Sequence, residues 1–236
     1  IHLNAMTLKE PLHHFIGLFY PNMCCACGEN LTIGEEVICL KCLYHLPRTN
    51  LHLERENKIE KRFWGKVTIE HATSFYYFEK GSDFQKILHK LKYKDGKEIG
   101  FTMGKYAGSE LLDSADFQQF DFIVPVPLHP KKMAKRGYNQ AEWIAHGLSE
   151  VMNVPVETTN LFRAIENPTQ TKKSVYERWE NTKGIFDIHN LELFENKRIL
   201  IVDDVLTTGA TLIACAEAIL DKCPTAKISV FTLAVA

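Results

Sequence analysis

The spacing of apolar positions changes along the chain, and each spacing predicts an element. Leu8, Leu12, Phe15, Ile16 and Phe19 fall on one face of a helix, which Pro21 ends. Arg48 to Lys66 is polar, with few core-forming residues, and reads as a linker or domain edge. β-Branched and aromatic residues crowd Thr68 to Phe78, a strand or hairpin arm. Phe84, Ile87, Leu88 and Leu91 mark an amphipathic helix, and a second helix is expected from about Glu98 to Leu112.

Beyond that point strands and helices alternate. Phe122 to Val126 is a short apolar strand, and Asn139 to Met152 is a helix with Trp143, Ile144, Leu148 and Val151 inward. Val154 to Glu157 and Gly184 to Ile188 are short strand candidates. Arg198 to Val202 is a near-continuous apolar run, as in a strand buried on both faces of a parallel sheet. Ala210 to Leu220 is the helix it feeds, and Lys227 to Val235 is a last buried strand. The alternation implies an α/β fold, an open parallel sheet with helices on both faces.

Composition adds little to this picture. The 236 residues are 45% hydrophobic and 24% charged, which is ordinary globular material. With 28 basic and 29 acidic residues, net charge does not announce a nucleic-acid binder, so any basic site must be local. No run approaches the length of a membrane span, so no membrane insertion is expected. Pro11 to Tyr20 is broken by His13 and His14 and lacks a basic region before it, unlike a signal peptide. A reducing cytoplasm is the expected compartment.

The cysteines are more informative because they cluster. Cys24-x2-Cys27 and Cys39-x2-Cys42 form two knuckles separated by eleven residues. Two knuckles close a tetrahedral four-thiolate site with no open position, which suits structural Zn2+. Four reduced structural thiols, a redox pair or a rubredoxin-type iron site are the alternatives. Cys25 is expected to be a bystander, and Cys215 a small buried hydrophobe. A structural metal is worth on the order of 10 to 16 kcal/mol to a short peptide, enough to fold this segment as its own unit.

Ile199 to Thr211 is the most informative stretch. A buried strand ends in Asp203 and Asp204, and a loop of Thr207, Thr208 and Gly209 opens a helix through Ala210 and Thr211. Carboxylates and free N–H groups then sit at the carboxyl edge of a parallel sheet, where such folds bind ligands. The helix N-terminus and hydroxyls can hold a phosphate, while the acids can accept from sugar hydroxyls or approach hydrated Mg2+. A Walker B strand, a response-regulator pocket and a plain helix cap are the competing readings, and the chain has no GxxxxGK[ST]. Lys131, Lys132, Lys135 and Arg136 form a cationic segment, in which Arg136 is the strongest candidate for bidentate phosphate contact.

This stretch resembles the 5-phosphoribosyl 1-diphosphate (PRPP) signature of type I phosphoribosyltransferases. The wider pattern resembles the ComF family of bacterial competence proteins. It runs through Cys24 to Cys42, Pro125-Val126-Pro127-Leu128, Arg136-Gly137-Tyr138-Asn139-Gln140-Ala141, Gln170-Thr171 with Glu177-Arg178 and Asn181, and Val202 to Thr211.

The resemblance implies a type I phosphoribosyltransferase fold with a hood, plus a small N-terminal four-cysteine zinc-binding module. The expected domains are 1–60, an N-terminal helix and zinc finger, and 61–236, the phosphoribosyltransferase-like part. Asp203, Asp204 and Arg136 would be catalytic. Val205, Thr207, Thr208, Gly209, Ala210, Thr211, Pro127 and Leu128 would bind PRPP with Mg2+. Residues 163–183 resemble the hood loop, with Gln170, Arg178 and Asn181 as matched positions; Asn167 and Lys173 depart from the family's threonine and leucine there.

Two functions follow as expectations. One is a PRPP-binding protein of natural competence and DNA uptake that transfers ribose 5-phosphate to an unknown acceptor. The other is a non-catalytic single-stranded-DNA adaptor working beside the helicase or translocase of uptake, with the PRPP site as a sensor. For DNA, the candidate patch is Lys90, Lys92 and Lys94, flanked by Lys86 and Lys97 and interleaved with Leu88, Leu91 and Tyr93.

Overall fold

The computed structural model describes residues 22–93, 96–164 and 184–236. The expected N-terminal helix, Lys94, Gln170, Arg178 and Asn181 lie outside the described residues. Among the described residues no helix is long and apolar enough to cross a membrane.

Four parallel strands form the central sheet: β1 (Ala72–Tyr77), β2 (Phe122–Pro125), β5 (Arg198–Leu206) and β6 (Lys227–Val235), in the order β1-β6-β5-β2. β5 pairs with both neighbours, Val202 lying opposite Phe231 on β6 and Pro125 on β2. Alternation sends its side chains to two separate cores, which is why Ile199 to Val202 is apolar without a break. Leu200 and Val202 join Phe75, Ile144, Leu148 and Phe231, whereas Ile199 and Ile201 join Val124, Ile213, Cys215 and Val230. Cys215 is thus a buried apolar filler, as its neighbours in sequence imply.

Helices cover both faces, as the alternation predicts. On one side lie α2 (Asp83–Lys90), α3 (Gly96–Leu111) and α5 (Gln140–Met152); on the other lies α6 (Ala210–Leu220). α2 is capped by Ser82, whose hydroxyl accepts from the Gln85 amide, and α5 by Asn139, which accepts from the Ala141 amide. α3 and α5 approach at glycines. A Cβ at Gly104 would lie 2.3 Å from the Ile144 carbonyl oxygen, and one at Gly147 would lie 2.0 Å from that of Phe101.

Four expectations change. Val154 to Glu157 makes only a single bridge, Val156 to Ile123, because β2 is too short to carry a longer partner. Gly184 to Ile188 does supply a strand, β4 (Phe186–Ile188), but it pairs antiparallel with β3 (Leu161–Arg163) in a separate hairpin sheet. The cationic stretch is a short helix, α4 (Pro130–Arg136). His129 caps it, Pro130 opens it, and Gly137 at φ 78° ends it. Finally, β5 continues to Leu206, so the acidic pair lies within the strand rather than at its end.

The polar stretch from Arg48 to Lys66 is packed against the sheet. Leu51, Ile59 and Phe63 are buried, and Asn57 donates to the carbonyls of Leu51, Glu54 and Ala72. Arg48 pairs with Tyr76 along the outer edge of β1 and forms a salt bridge with Glu110.

The α3–α5 contact yields a stability prediction. Gly147→Ala gains up to about 1 kcal/mol of helix propensity. It must also push a backbone carbonyl aside, so a net loss of about 2 kcal/mol is expected. A lower midpoint in chemical denaturation would show it; an unchanged midpoint would mean that the helices separate freely.

Candidate functional site

β2 ends at Pro125, opposite Val202, so β5 runs on without that neighbour and a cleft opens beside its last residues. Asp203 and Asp204 stand at this point. The Asp203 carboxylate accepts from the Asp204 amide at 2.8 Å. Burial pushes the Asp203 carboxyl well above the usual carboxylate range. The charge on Asp204 adds to this, while the Asp204 amide and Lys132 oppose it.

After β5 the chain turns through exposed Thr207 and Thr208 into α6. Gly209 sits at the N-cap with φ 84° and offers no capping side chain. The first-turn amides therefore remain largely free for a ligand, apart from a long 3.4 Å contact from the Ala210 amide to the Thr208 hydroxyl. The Arg62 guanidinium donates to the Thr207 carbonyl from behind the loop.

The facing wall comes from the segment after β2 and from α4 and α5. Val126, Pro127, Leu128 and His129 border the cleft, whose volume is about 200 Å³, and Thr211 borders it from α6. Asn139 donates to the Val126 carbonyl at 2.9 Å, tying the start of α5 to this wall. Arg136 donates to the Gln140 side-chain oxygen at 2.7 Å, and the buried Gln140 amide nitrogen has no partner among the described residues. Arg163, at the end of β3, is half-buried above the Phe186 ring, and its Nε likewise has no partner among the described residues.

Four cations therefore meet two acids here: Lys92, Lys132, Arg136 and Arg163 opposite Asp203 and Asp204. Buried donors without acceptors beside a surplus of cations are what a multiply charged anion would satisfy.

The structure thus gathers Asp203, Asp204, Arg136, Thr211, Pro127 and Leu128 around one cleft. Thr207, Thr208, Gly209 and Ala210 form the adjoining turn, whereas Val205 packs half-buried against the core. The lysine patch does not stay together. Lys86 pairs with Asp83 at 2.7 Å, Lys97 lies over the Tyr138 and Trp143 rings, and Lys92 borders the acidic cleft. Lys90 borders a different cavity of about 410 Å³, with Cys25, Val37 and Tyr93. Sequence reasoning missed Arg163, a lone arginine in a short strand, and did not place Lys92 beside the acidic pair.

The four predicted cysteines also converge. The sulfurs of Cys24, Cys27, Cys39 and Cys42 lie within 4.8 Å of one another, with Cys27 and Cys39 at 3.8 Å. A tetrahedron with metal–sulfur bonds of about 2.3 Å has edges of about 3.8 Å, so the set fits one zinc-sized ion. Backbone amides already serve the sulfurs: that of Cys39 donates to Cys24, and that of Cys42, in α1 (Leu40–Tyr44), donates to Cys39. Cys25 is outside the set, and burial pushes its thiol up to about 12. The cluster shares one core with Ile87, Ile99 and Met103.

Residues 92–235 match the phosphoribosyl transferase domain. The chain belongs to the phosphoribosyltransferase family. It is 29% identical over 215 residues to Competence protein F of Haemophilus influenzae, covering 82% of this chain and 89% of that one. DNA utilization protein YhgH of Escherichia coli K12 is 27% identical over 221 residues, 86% of this chain and 92% of that one. Among solved structures, glutamine phosphoribosylpyrophosphate amidotransferase from B. subtilis is similar at 18% identity with a TM-score of 0.41. That match covers 62% of this chain and 30% of that one. The chain is thus a phosphoribosyltransferase-fold homologue of competence proteins. Its acidic cleft lies within the matched domain, and the cysteine cluster precedes it.

The elevated Asp203 carboxyl sets a pH-dependent stability. The folded state prefers the proton there. That contribution is full below about pH 4, where an unfolded aspartate titrates, and is lost as pH rises through the elevated value. Asp203→Asn keeps the acceptor for the Asp204 amide and removes the charge. It should raise the melting temperature of the ligand-free protein by a few degrees at about pH 7 and leave it unchanged at about pH 4. Equal or lower stability at the higher pH would contradict this.

Proposed function

We propose that this chain binds PRPP together with Mg2+ in the acidic cleft and acts in cytoplasmic DNA uptake during natural competence. The observation that carries the reading is the meeting of the half-buried acid pair with four cations in one cleft at the carboxyl end of a parallel sheet. PRPP has the matching parts. Its 5-phosphate suits the free amides of the Thr207 to Thr211 turn, its diphosphate suits Lys132 and Arg136, and its vicinal hydroxyls suit the acids.

Asp203 and Asp204 are the residues that would hold Mg2+, and a cation there would oppose the upward shift of the Asp203 carboxyl. Bound Mg2+ supplies charge neutralisation for departing diphosphate. Among the described residues no side chain in the cleft is arranged as a nucleophile, so in this reading transfer of ribose 5-phosphate to an acceptor relies on the acceptor's own nucleophile and on electrostatic stabilisation of the leaving group.

The four-cysteine module holds structural Zn2+ in this reading, and the chain divides at about residue 60 into that module and the ligand-binding part. The module's fit to a tetrahedral ion supports it. A second reading, a single-stranded-DNA adaptor beside the uptake translocase with the PRPP site as sensor, is favoured by the exposed Lys90 and Tyr93 and by relatives named for competence and DNA utilization.

Calorimetric titration with PRPP, with and without Mg2+, tests the first reading. Binding should weaken at least roughly tenfold when Asp203→Asn and Asp204→Asn are combined, in line with lost charge-assisted contacts. Absent binding, or binding indifferent to both changes, would sink it. Pyrophosphate release with candidate acceptors separates enzyme from sensor. The DNA reading falls if Lys90→Glu leaves single-stranded-DNA affinity at moderate salt unchanged.

Native mass spectrometry should find one zinc per chain, lost with Cys24→Ser and Cys27→Ser together. Because the cluster shares its core with α2 and α3, that loss should also lower the melting temperature of the whole chain. A folded, zinc-free wild-type chain would refute the structural metal.

A further inference from the structure

Lys92 lies in the short segment between α2 and α3, ahead of every residue that marks the acidic cleft, yet it borders that cleft. Its neighbours face elsewhere. Leu91 is fully buried in the core shared with α3 and the cysteine module, and Lys90 and Tyr93 border the other cavity. Something must hold this segment so that one lysine of the run turns into the cleft.

Tyr138 is placed to do so. It stands in the bend between α4 and α5, two residues after Arg136 and just before Asn139 and Gln140, all three of which border the cleft. Tyr138 itself does not border it, and it is 5% exposed. Its hydroxyl lies 2.6 Å from the Leu91 carbonyl oxygen and 2.6 Å from that of Tyr93, so one phenolic proton serves the two carbonyls that flank Lys92.

The space around the hydroxyl is reserved for it. A Cβ at Gly96 would come within 2.0 Å of the Tyr138 oxygen, and the Lys97 ammonium lies 5.8 Å from the ring centre. A ring that served only as core filler would not require a hydroxyl aimed at two backbone acceptors.

We infer that Lys92 is an anion ligand of the acidic cleft and that Tyr138 is the positioning residue that holds it there. The inference rests on reading this cleft as a PRPP site, and the diphosphate is the part of the ligand that Lys92 would meet. The run Arg136-Gly137-Tyr138-Asn139-Gln140 then delivers three cleft residues directly and a fourth through its tyrosine.

The test is calorimetric titration of the full chain with PRPP–Mg2+ and with inorganic pyrophosphate–Mg2+. Lys92→Met should weaken both by roughly tenfold, as removal of one charge-assisted contact does, and Lys92→Arg should recover most of the loss. Tyr138→Phe should weaken both by roughly threefold or more. In the Lys92→Met background it should cost nothing further, since a residue that acts through another shows no effect once the other is gone.

Binding by Lys92→Met within about twofold of wild type, while the Asp203 and Asp204 variants lose PRPP, overturns the ligand role and leaves the PRPP reading intact. Full additivity of the two changes overturns the positioning role, as does a Tyr138→Phe chain that fails to fold, because the hydroxyl is then structural. A wild-type chain that binds neither probe overturns the PRPP reading and this inference with it.

Discussion

The site is organised around the desolvation of a carboxyl group. Asp203 sits on a strand whose preceding residues are buried on both faces, so its acid is carried into a place where charge is poorly solvated, next to a second acid. Each feature nearby answers that constraint. β2 stops short and leaves access to the pair, α4 brings lysine and arginine across from it, and β3 contributes an arginine whose Nε has no partner among the described residues. A cation and a polyanion bound together would offset the charges that meet in this cleft. Stability of the free protein and affinity for such ligands therefore pull against each other at one residue.

Much of the architecture was legible in the chain. Ala210–Leu220 and Lys227–Val235 appear with the expected limits, because a buried helix and a doubly buried strand each leave a mostly apolar signature. The cysteine spacing and the acid-threonine-glycine stretch were readable because their chemistry is local in sequence.

What could not be read depends on long-range packing. Leu51, Ile59 and Phe63 are too irregularly spaced to suggest an element, yet the sheet buries them. Lysines in one run look alike until the fold sends Lys86 to Asp83, Lys97 to two rings and Lys92 to the cleft. Arg163 becomes a cleft residue only because a separate hairpin sets its strand end there.

The cysteine module and the ligand-binding part also share more than their sequence separation suggests. Cys24, Ile38 and Cys39 pack in the same cluster as Ile87, Met103 and Phe231, and residues 90 to 93 touch both the cavity beside the cysteines and the acidic cleft. The four-cysteine cluster on one side and the acidic cleft on the other thus adjoin one continuous body of packed side chains.

The two ends of the sheet carry a different consequence. An open four-stranded sheet has two outer strands with unspent amides and carbonyls, and each is partly closed by an irregular segment. Along β1, Tyr77 donates to the Pro47 carbonyl and Phe75 accepts from the Thr49 amide; along β2, Ile123 donates to Pro155 and accepts from Glu157. These short selvedges offer no row of free groups on which another chain could lay a strand, so the sheet is guarded against edge-to-edge polymerisation by segments too irregular to extend it.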